Sequence, residues 1–364
     1  MPRCVIASWV RTAAAVAGAV VALGLAGCER KLTEQGGYRG TGQVQVKSPT
    51  TVAALHELNR IPPPEEAADL ESPPSTEVFT NLKVLQDLSA TEVSRLMQAL
   101  STWVSPVEGC DFCHNPDVLE SDEKYPKLVA RRMLEMTRRI NTEWKSHVGE
   151  TGVTCWTCHR GQAVPSGDWF NSNPPGAGLG ALGNRDGQNA PGANVVGSAL
   201  PGDPLSLFLV TDQASVRIQG NTALRSGGHD SIKAAERTYS LMLYMSKSLG
   251  VNCTYCHSTR ALASWQESTP QRSKAWYGIR MVRELNTDYL IPLEPMLPAH
   301  RMGPLGDGPK VGCETCHKGT FKPLNGVSPL TDYMALSGIG KVPPGVPTPA
   351  EPEPEAPPGP QARK

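Results

Sequence analysis

Eight of the ten cysteines in this chain fall into four copies of one pattern, C-x-x-C-H. The copies are Cys110-Asp111-Phe112-Cys113-His114, Cys155-Trp156-Thr157-Cys158-His159, Cys253-Thr254-Tyr255-Cys256-His257 and Cys313-Glu314-Thr315-Cys316-His317. Two thiols held two residues apart can add to the two vinyl groups of one haem, and the histidine that follows then reaches the iron from one face. Zinc sites and disulfide frameworks also use paired cysteines, but neither requires a histidine after every pair. The pattern therefore implies four covalently bound haem c groups. Cys110, Cys113, Cys155, Cys158, Cys253, Cys256, Cys313 and Cys316 are the expected attachment points, and His114, His159, His257 and His317 the expected proximal iron ligands.

Each iron has a second axial position, and a thioether there favours the ferrous state and a high potential. Met97, Met133 and Met242 lie on expected helical faces ahead of the first, second and third motifs. The plain alternative for each is core packing, to which methionine is well suited. An internal repeat favours ligation for two of them: Asn141-Thr142-Glu143-Trp144 aligns with Asn286-Thr287-Asp288-Tyr289 at an offset of 145, and Met97 aligns with Met242 at the same offset. At the fourth site the repeat breaks, because the counterpart of Met133 is Gly278. His147 is the candidate there; on a straight helix it would stand about 21 Å beyond Met133 on nearly the same face. His300, Met302 and Met281 are competing donors. Met136, Met245 and Met296 read as packing, His56 and His229 as exposed, and Phe112, Trp156 and Tyr255 as side chains that pack on haem faces.

Four helices are expected to position these residues. Ser89 and Glu92 form a capping-box pattern ahead of Val93, Leu96, Met97 and Leu100. A second helix opens at Pro126 and is expected to run to about His147. Asp230 can cap a third, with Ala235, Tyr239, Met242 and Leu249 on one face and Gly250 as its stop. Thr269-Pro270 opens a fourth that Pro292 ends. The expected fold is mainly α-helical with long irregular loops, in two pseudo-symmetric halves that each carry two helix-plus-motif units.

The expected organisation is a leader at 1–27, an extended N-terminal arm at 28–77 with a short strand at Gln43-Val44-Gln45-Val46, and a first two-haem half at 78–164. A connector at 165–223, a second two-haem half at 224–323 and a proline-rich tail at 324–364 follow. Arg3 and Arg11 with the small and apolar run at 12–26 have the form of an export signal. Leu25-Ala26-Gly27-Cys28 reads as a lipoprotein cleavage site, with Cys28 lipidated and Cys4 discarded; ordinary cleavage is the alternative. The 35 basic and 35 acidic side chains leave no net charge, which counts against a nucleic-acid binder. The carboxylates Glu108, Asp111, Asp117, Glu120, Asp122 and Glu123 surround the first motif, either as a solvated face or as a port for a cationic carrier.

The four motifs, the preceding methionines and the additional histidine resemble the tetrahaem cytochrome subunit of purple-bacterial photosynthetic reaction centres over roughly residues 78–323. The lipoprotein leader is similar as well. The resemblance implies that Met97, Met133 and Met242 ligate haems one, two and three, and that His147 ligates haem four. It also implies a non-enzymatic role: re-reducing a photo-oxidised chlorophyll pair with electrons from a soluble periplasmic carrier, a small cytochrome c or a high-potential iron-sulfur protein. The partners would then be membrane-embedded reaction-centre core subunits, with the chain lipid-anchored at the periplasmic face of the inner membrane. A periplasmic multihaem reductase with one open iron, and a freely diffusing tetrahaem shuttle, are the alternatives.

Overall fold

The computed structural model describes residues 30–36, 43–69, 71–171, 195–200, 203–212, 215–218 and 232–338. The leader, Cys28, Asp230, His229 and the tail beyond 338 lie outside the described residues. The chain is mainly helical, with one two-stranded sheet among the described residues. No helix among them is long and apolar enough to cross a membrane.

Strands β1 (Leu32–Gly36) and β2 (Gln43–Lys47) pair antiparallel, Leu32 opposite Lys47 and Gly36 opposite Gln43. Helix α1 (Pro49–Leu58) follows, with Ser48 at its N-cap and a proline in its first turn. The segment expected to be an extended arm thus holds a hairpin and a helix. Its fixed points are distant in sequence: Gln43 N–H donates to Thr254 Oγ1 (2.9 Å) and Gln45 Nε2 to the Gly250 carbonyl (2.7 Å). Asn252 in turn donates to Gln45 Oε1 and to the Gln43 carbonyl, each at 3.1 Å. The hairpin is therefore pinned to the third motif.

Helix α2 (Ala90–Val104) begins with the capping box read from the sequence, both reciprocal bonds between Ser89 and Glu92 being present. It buries Val93, Leu96, Ala99 and Trp103. Helix α3 (Tyr125–Glu143) is shorter than expected. Its regular backbone ends at Glu143, Trp144 adopts φ −103° and ψ 26°, and a separate turn (Lys145–Val148) carries His147. The straight rod from Met133 to His147, on which the separation of about 21 Å rested, is broken at Trp144. The apolar period misled because Trp144 is itself buried in the core, so the hydrophobic face runs on past the break. Helix α4 (Ile232–Leu249) stops at Gly250, whose φ of +62° suits glycine. Tyr239, expected on its apolar face, is exposed. Helix α5 (Pro270–Glu284) opens at the expected proline and continues through a π-turn into a 3₁₀ stretch ending at Met296.

Two apolar clusters hold these elements. One joins α2 and Leu134 of α3 to Leu330, Tyr333 and Leu336. The other joins Met136, Ile140 and Trp144 to Leu241, Tyr244, Ile279 and Val282, and to Leu205, Phe208 and Leu209 of a short helix (Leu205–Leu209) within the expected connector. The early part of the expected tail is thus core, packed against the first half. The connector helix is core as well, packed against the second.

The same residue pair clamps both segments. Arg138 Nε donates to the Ala335 carbonyl (3.0 Å) and Asn141 Nδ2 to that of Leu336 (2.8 Å). Arg283 Nε donates to the Phe208 carbonyl (3.3 Å) and Asn286 Nδ2 to that of Leu209 (2.9 Å). Each asparagine also receives the amide of a residue two before a motif, Val153 on Asn141 (2.7 Å) and Val311 on Asn286 (2.9 Å). Because Asn286 is fully buried, Asn286→Ala leaves backbone groups of Leu209 and Val311 without partners. The expected loss is about 2–4 kcal/mol of stability, read as a lowered thermal midpoint, against no measurable loss for the exposed control Thr287→Ala.

Candidate functional site

The four motifs adopt two local forms. The first and third lie in 3₁₀ turns, Gly109–Phe112 and Cys253–Tyr255. The second and fourth are single α-turns, Cys155–His159 and Cys313–His317. Threonine makes the difference: Thr157 Oγ1 accepts from the Thr154 amide (3.0 Å) and Thr315 Oγ1 from the Gly312 amide (2.9 Å), each starting its turn. Each α-turn ends in a left-handed residue, Arg160 at φ 51° and Lys318 at φ 47°.

The five candidate histidines share one feature. Nδ1 of His114, His159, His257, His317 and His147 bonds to the carbonyl of Leu119, Gln162, Leu262, Thr320 and Lys274 respectively, at 2.8–3.0 Å. A carbonyl only accepts, so Nδ1 carries the proton and Nε2 keeps the lone pair a metal needs. Burial pushes the imidazoles of His147, His159 and His257 below their usual titration range. His317 is pushed down to about 4, by burial and then by the neighbouring His147. These rings are neutral donors at neutral pH.

His147 and His317 face each other, ring centroids 6.0 Å apart and planes 70° apart. Two metal–nitrogen bonds of about 2 Å, with about 1.2 Å from each nitrogen to its ring centre, sum to about 6.4 Å, so the spacing is close to that of one iron held between the rings. The competing donors are placed differently: His300 is exposed, Met281 is buried in the apolar cluster, and Met302 caps a 3₁₀ turn.

Met97, Met133 and Met242 are half-buried, on α2, α3 and α4. One turn beyond Met97, the Ser101 hydroxyl lies 3.7 Å from Cys110 Sγ. One turn beyond Met133, the Thr137 hydroxyl donates to the Met133 carbonyl (2.8 Å) and lies beside the Cys155 thiol. On each of these two helices a residue one turn from the methionine therefore adjoins the motif. Met136 is buried packing, Met245 is half-buried against the same cluster, Met296 is partly exposed, and His56 is exposed. Trp156 Nε1 donates to the Arg60 carbonyl (3.0 Å), and Tyr255 packs on Phe321 at 5.1 Å.

Cys158 and Cys316, the second cysteines of the second and fourth motifs, have α-carbons 4.5 Å apart and are joined as a disulfide, whereas the motif pattern assigns each thiol to a haem. The contact sets these two motifs side by side. Burial raises the Cys155 and Cys313 thiols to about 12 and those of Cys113 and Cys256 to about 11. Among the described residues no three His, Cys, Asp or Glu side chains converge as a metal cage, and each cysteine pair with its following histidine is the donor set of a covalently bound haem.

The acidic region around the first motif is less uniform than its sequence. Asp122 is held well below the usual carboxylate range by hydrogen bonds from Arg131, then Asn81, with Lys127 adding to them. Lys124 reaches the Asp111 carbonyl. Three cations from the start of α3 and its approach thus stand beside the carboxylates, leaving Glu108, Asp111, Asp117 and Glu120 as the outward acidic face.

The family described as photosynthetic reaction centre cytochrome C subunit matches residues 29–337. The chain belongs to this family. It is 48% identical over 316 residues to the photosynthetic reaction center cytochrome c subunit of Rubrivivax gelatinosus, covering 86% of each chain. It is 46% identical over 320 residues to that of Thermochromatium tepidum, covering 87% of this chain and 78% of the relative. With that of Roseobacter denitrificans the identity is 36% over 341 residues, covering 89% and 90%. The family match extends from the N-terminal hairpin through Leu336, so the hairpin and the clamped C-terminal segment are part of the reaction-centre cytochrome fold.

Proposed function

We propose that this chain is the electron-donating cytochrome subunit of a photosynthetic reaction centre, holding four haem c groups and passing electrons from a soluble carrier to the photo-oxidised chlorophyll pair. The observation that carries the reading is the facing pair His147 and His317 at 6.0 Å, set among four C-x-x-C-H motifs. Bound haem supplies one-electron exchange between ferric and ferrous iron. The chain's residues would supply the rest: eight cysteine sulfurs to tether the haems, with His114, His159, His257 and His317 as one set of iron ligands and Met97, Met133, Met242 and His147 as the other. With both sets in place no iron would be left open, which favours an electron carrier over a reductase that must leave one iron open.

The halves are related by a local two-fold. Cys158 meets Cys316, and Arg139 Nε meets Glu284 Oε1 at 3.0 Å, Glu284 being its counterpart at the offset of 145. A residue that touches its own counterpart lies near a symmetry axis. The paired clamps Arg138 with Asn141 and Arg283 with Asn286 support the same relation. Haems two and four therefore lie next to the axis and haems one and three outside them, giving the spatial order one, two, four, three. Thioether formation at Cys158 and Cys316 uses both thiols, so in the haem-loaded chain these two cysteines are neighbours and not a disulfide.

Lipidation of Cys28 anchors the chain at the periplasmic face of the membrane. The hairpin that begins at Leu32 is pinned beside the third motif, and the reaction-centre core subunits are the partner at that end. The outward carboxylates near the first motif lie at the other end and steer a cationic carrier. Neutralising Asp111, Asp117 and Glu120 together should slow association with the donor and flatten its salt dependence, whereas Asp122→Asn should do little. A rate unaffected by either salt or these changes points instead to apolar docking on Val107, Val118 and Leu119, all exposed.

The reading is tested on the mature protein by a haemochrome assay and a redox titration. Four haems per chain, all low-spin, are expected, with one midpoint well below the rest because imidazole favours ferric iron. His147→Met should raise that midpoint alone. A high-spin iron in the wild type, or midpoints unmoved by His147→Met, would count for the reductase or for another sixth ligand.

A further inference from the structure

His147 reaches the fourth site from the first half of the chain, and the residue it lies against is Gly278 on α5. A β-carbon at Gly278 would stand 2.6 Å from Cε1, 2.9 Å from Nδ1 and 3.2 Å from Nε2 of His147. All three distances fall short of the contact distance of about 3.5–4.0 Å for non-bonded carbons. The same ring donates from Nδ1 to the Lys274 carbonyl at 2.8 Å. In an α-helix that carbonyl is the one bonded by the amide four residues on, which is Gly278 itself. The packing contact and the orienting hydrogen bond thus fall on a single turn. Gly278 is buried within α5, with no left-handed backbone to require glycine, and helix propensity alone favours alanine there.

We propose that Gly278 determines which side chain completes the fourth iron. Its missing side chain does two things at once: it withholds from the second half the methionine that its counterpart Met133 gives the first, and it opens the space that the His147 imidazole occupies. Gly278 is a positioning residue that acts through His147 and sets the low potential of haem four. The inference rests on the reading of His147 as the sixth ligand.

The test uses the mature full-length cytochrome, with electron paramagnetic resonance to identify axial pairs, a redox titration and a thermal melt. The wild type should show one bis-imidazole haem. Gly278→Ala should abolish or shift that signal and move one midpoint, leave the other three midpoints and the haem content unchanged, and fail to give the stabilisation that helix propensity predicts. The double variant Gly278→Met with His147→Ala should turn the fourth haem into a low-spin histidine–methionine site with a raised midpoint, an outcome that a merely structural glycine would not produce. If Gly278→Ala does not accumulate, the double variant decides: a low-spin fourth haem supports the proposal and a high-spin one overturns it. An unchanged bis-imidazole signal and a higher melting point in Gly278→Ala overturn the role of Gly278 alone. A wild-type protein without that signal, or one that keeps it after His147→Ala, overturns the ligand reading and the proposal with it.

Discussion

A haem iron takes its axial ligands from opposite faces of a plane, so the short turn that tethers a haem and supplies one ligand cannot supply the other. That constraint shapes this chain. The first three motifs are each preceded by a helix that carries a half-buried methionine, and the histidine of the fourth lies against His147 from the other half. The contact of His147 with His317 therefore couples the two halves, and the buried apolar clusters keep them in register: α3 contributes Leu134 to one cluster and Met136 and Ile140 to the other. The segments after the second and fourth motifs each cross to the opposite half, where an arginine and an asparagine one turn apart hold them.

Ligand basicity is set by a second layer that is almost entirely backbone. Each of the five imidazoles gives its Nδ1 proton to a carbonyl, which fixes the tautomer and the ring orientation before any metal chemistry begins. The acceptors lie three residues past the histidine in the α-turn motifs and five past it in the 3₁₀ motifs. The turn type of each motif thus goes with the placing of its imidazole, and Thr157 and Thr315 act on His159 and His317 at one remove through that turn.

The sequence made the chemistry legible because the chemistry is local: two thiols and a histidine within five residues, or a capping box at Ser89 and Glu92. The repeat also exposed Asn141 and Asn286 as a matched pair. What the pair does could not be read, since its partners lie up to 195 residues away in chain order. The strand at 43–46 was legible from its alternation, but its partner strand and the C-terminal segment escaped for the same reason. Leu324, Leu330, Tyr333 and Leu336 are buried, but 3₁₀ turns of three or four residues are too short to show a period. The break at Trp144 was hidden differently, because a buried residue at a kink preserves the apolar pattern of the helix it interrupts. Gly278 stood out only as a missing methionine; that it makes room for His147 depends on a contact between the two halves.

The central claim is that electrons reach the oxidised chlorophyll pair through this chain's irons. Flash excitation of the native membrane complex, with absorbance followed at both the chlorophyll bleach and the haem α-band, tests it most directly. Recovery of the bleach should coincide with oxidation of a haem in this subunit, and should slow greatly when the haems are oxidised beforehand. Recovery at the same rate with no haem oxidation would contradict it.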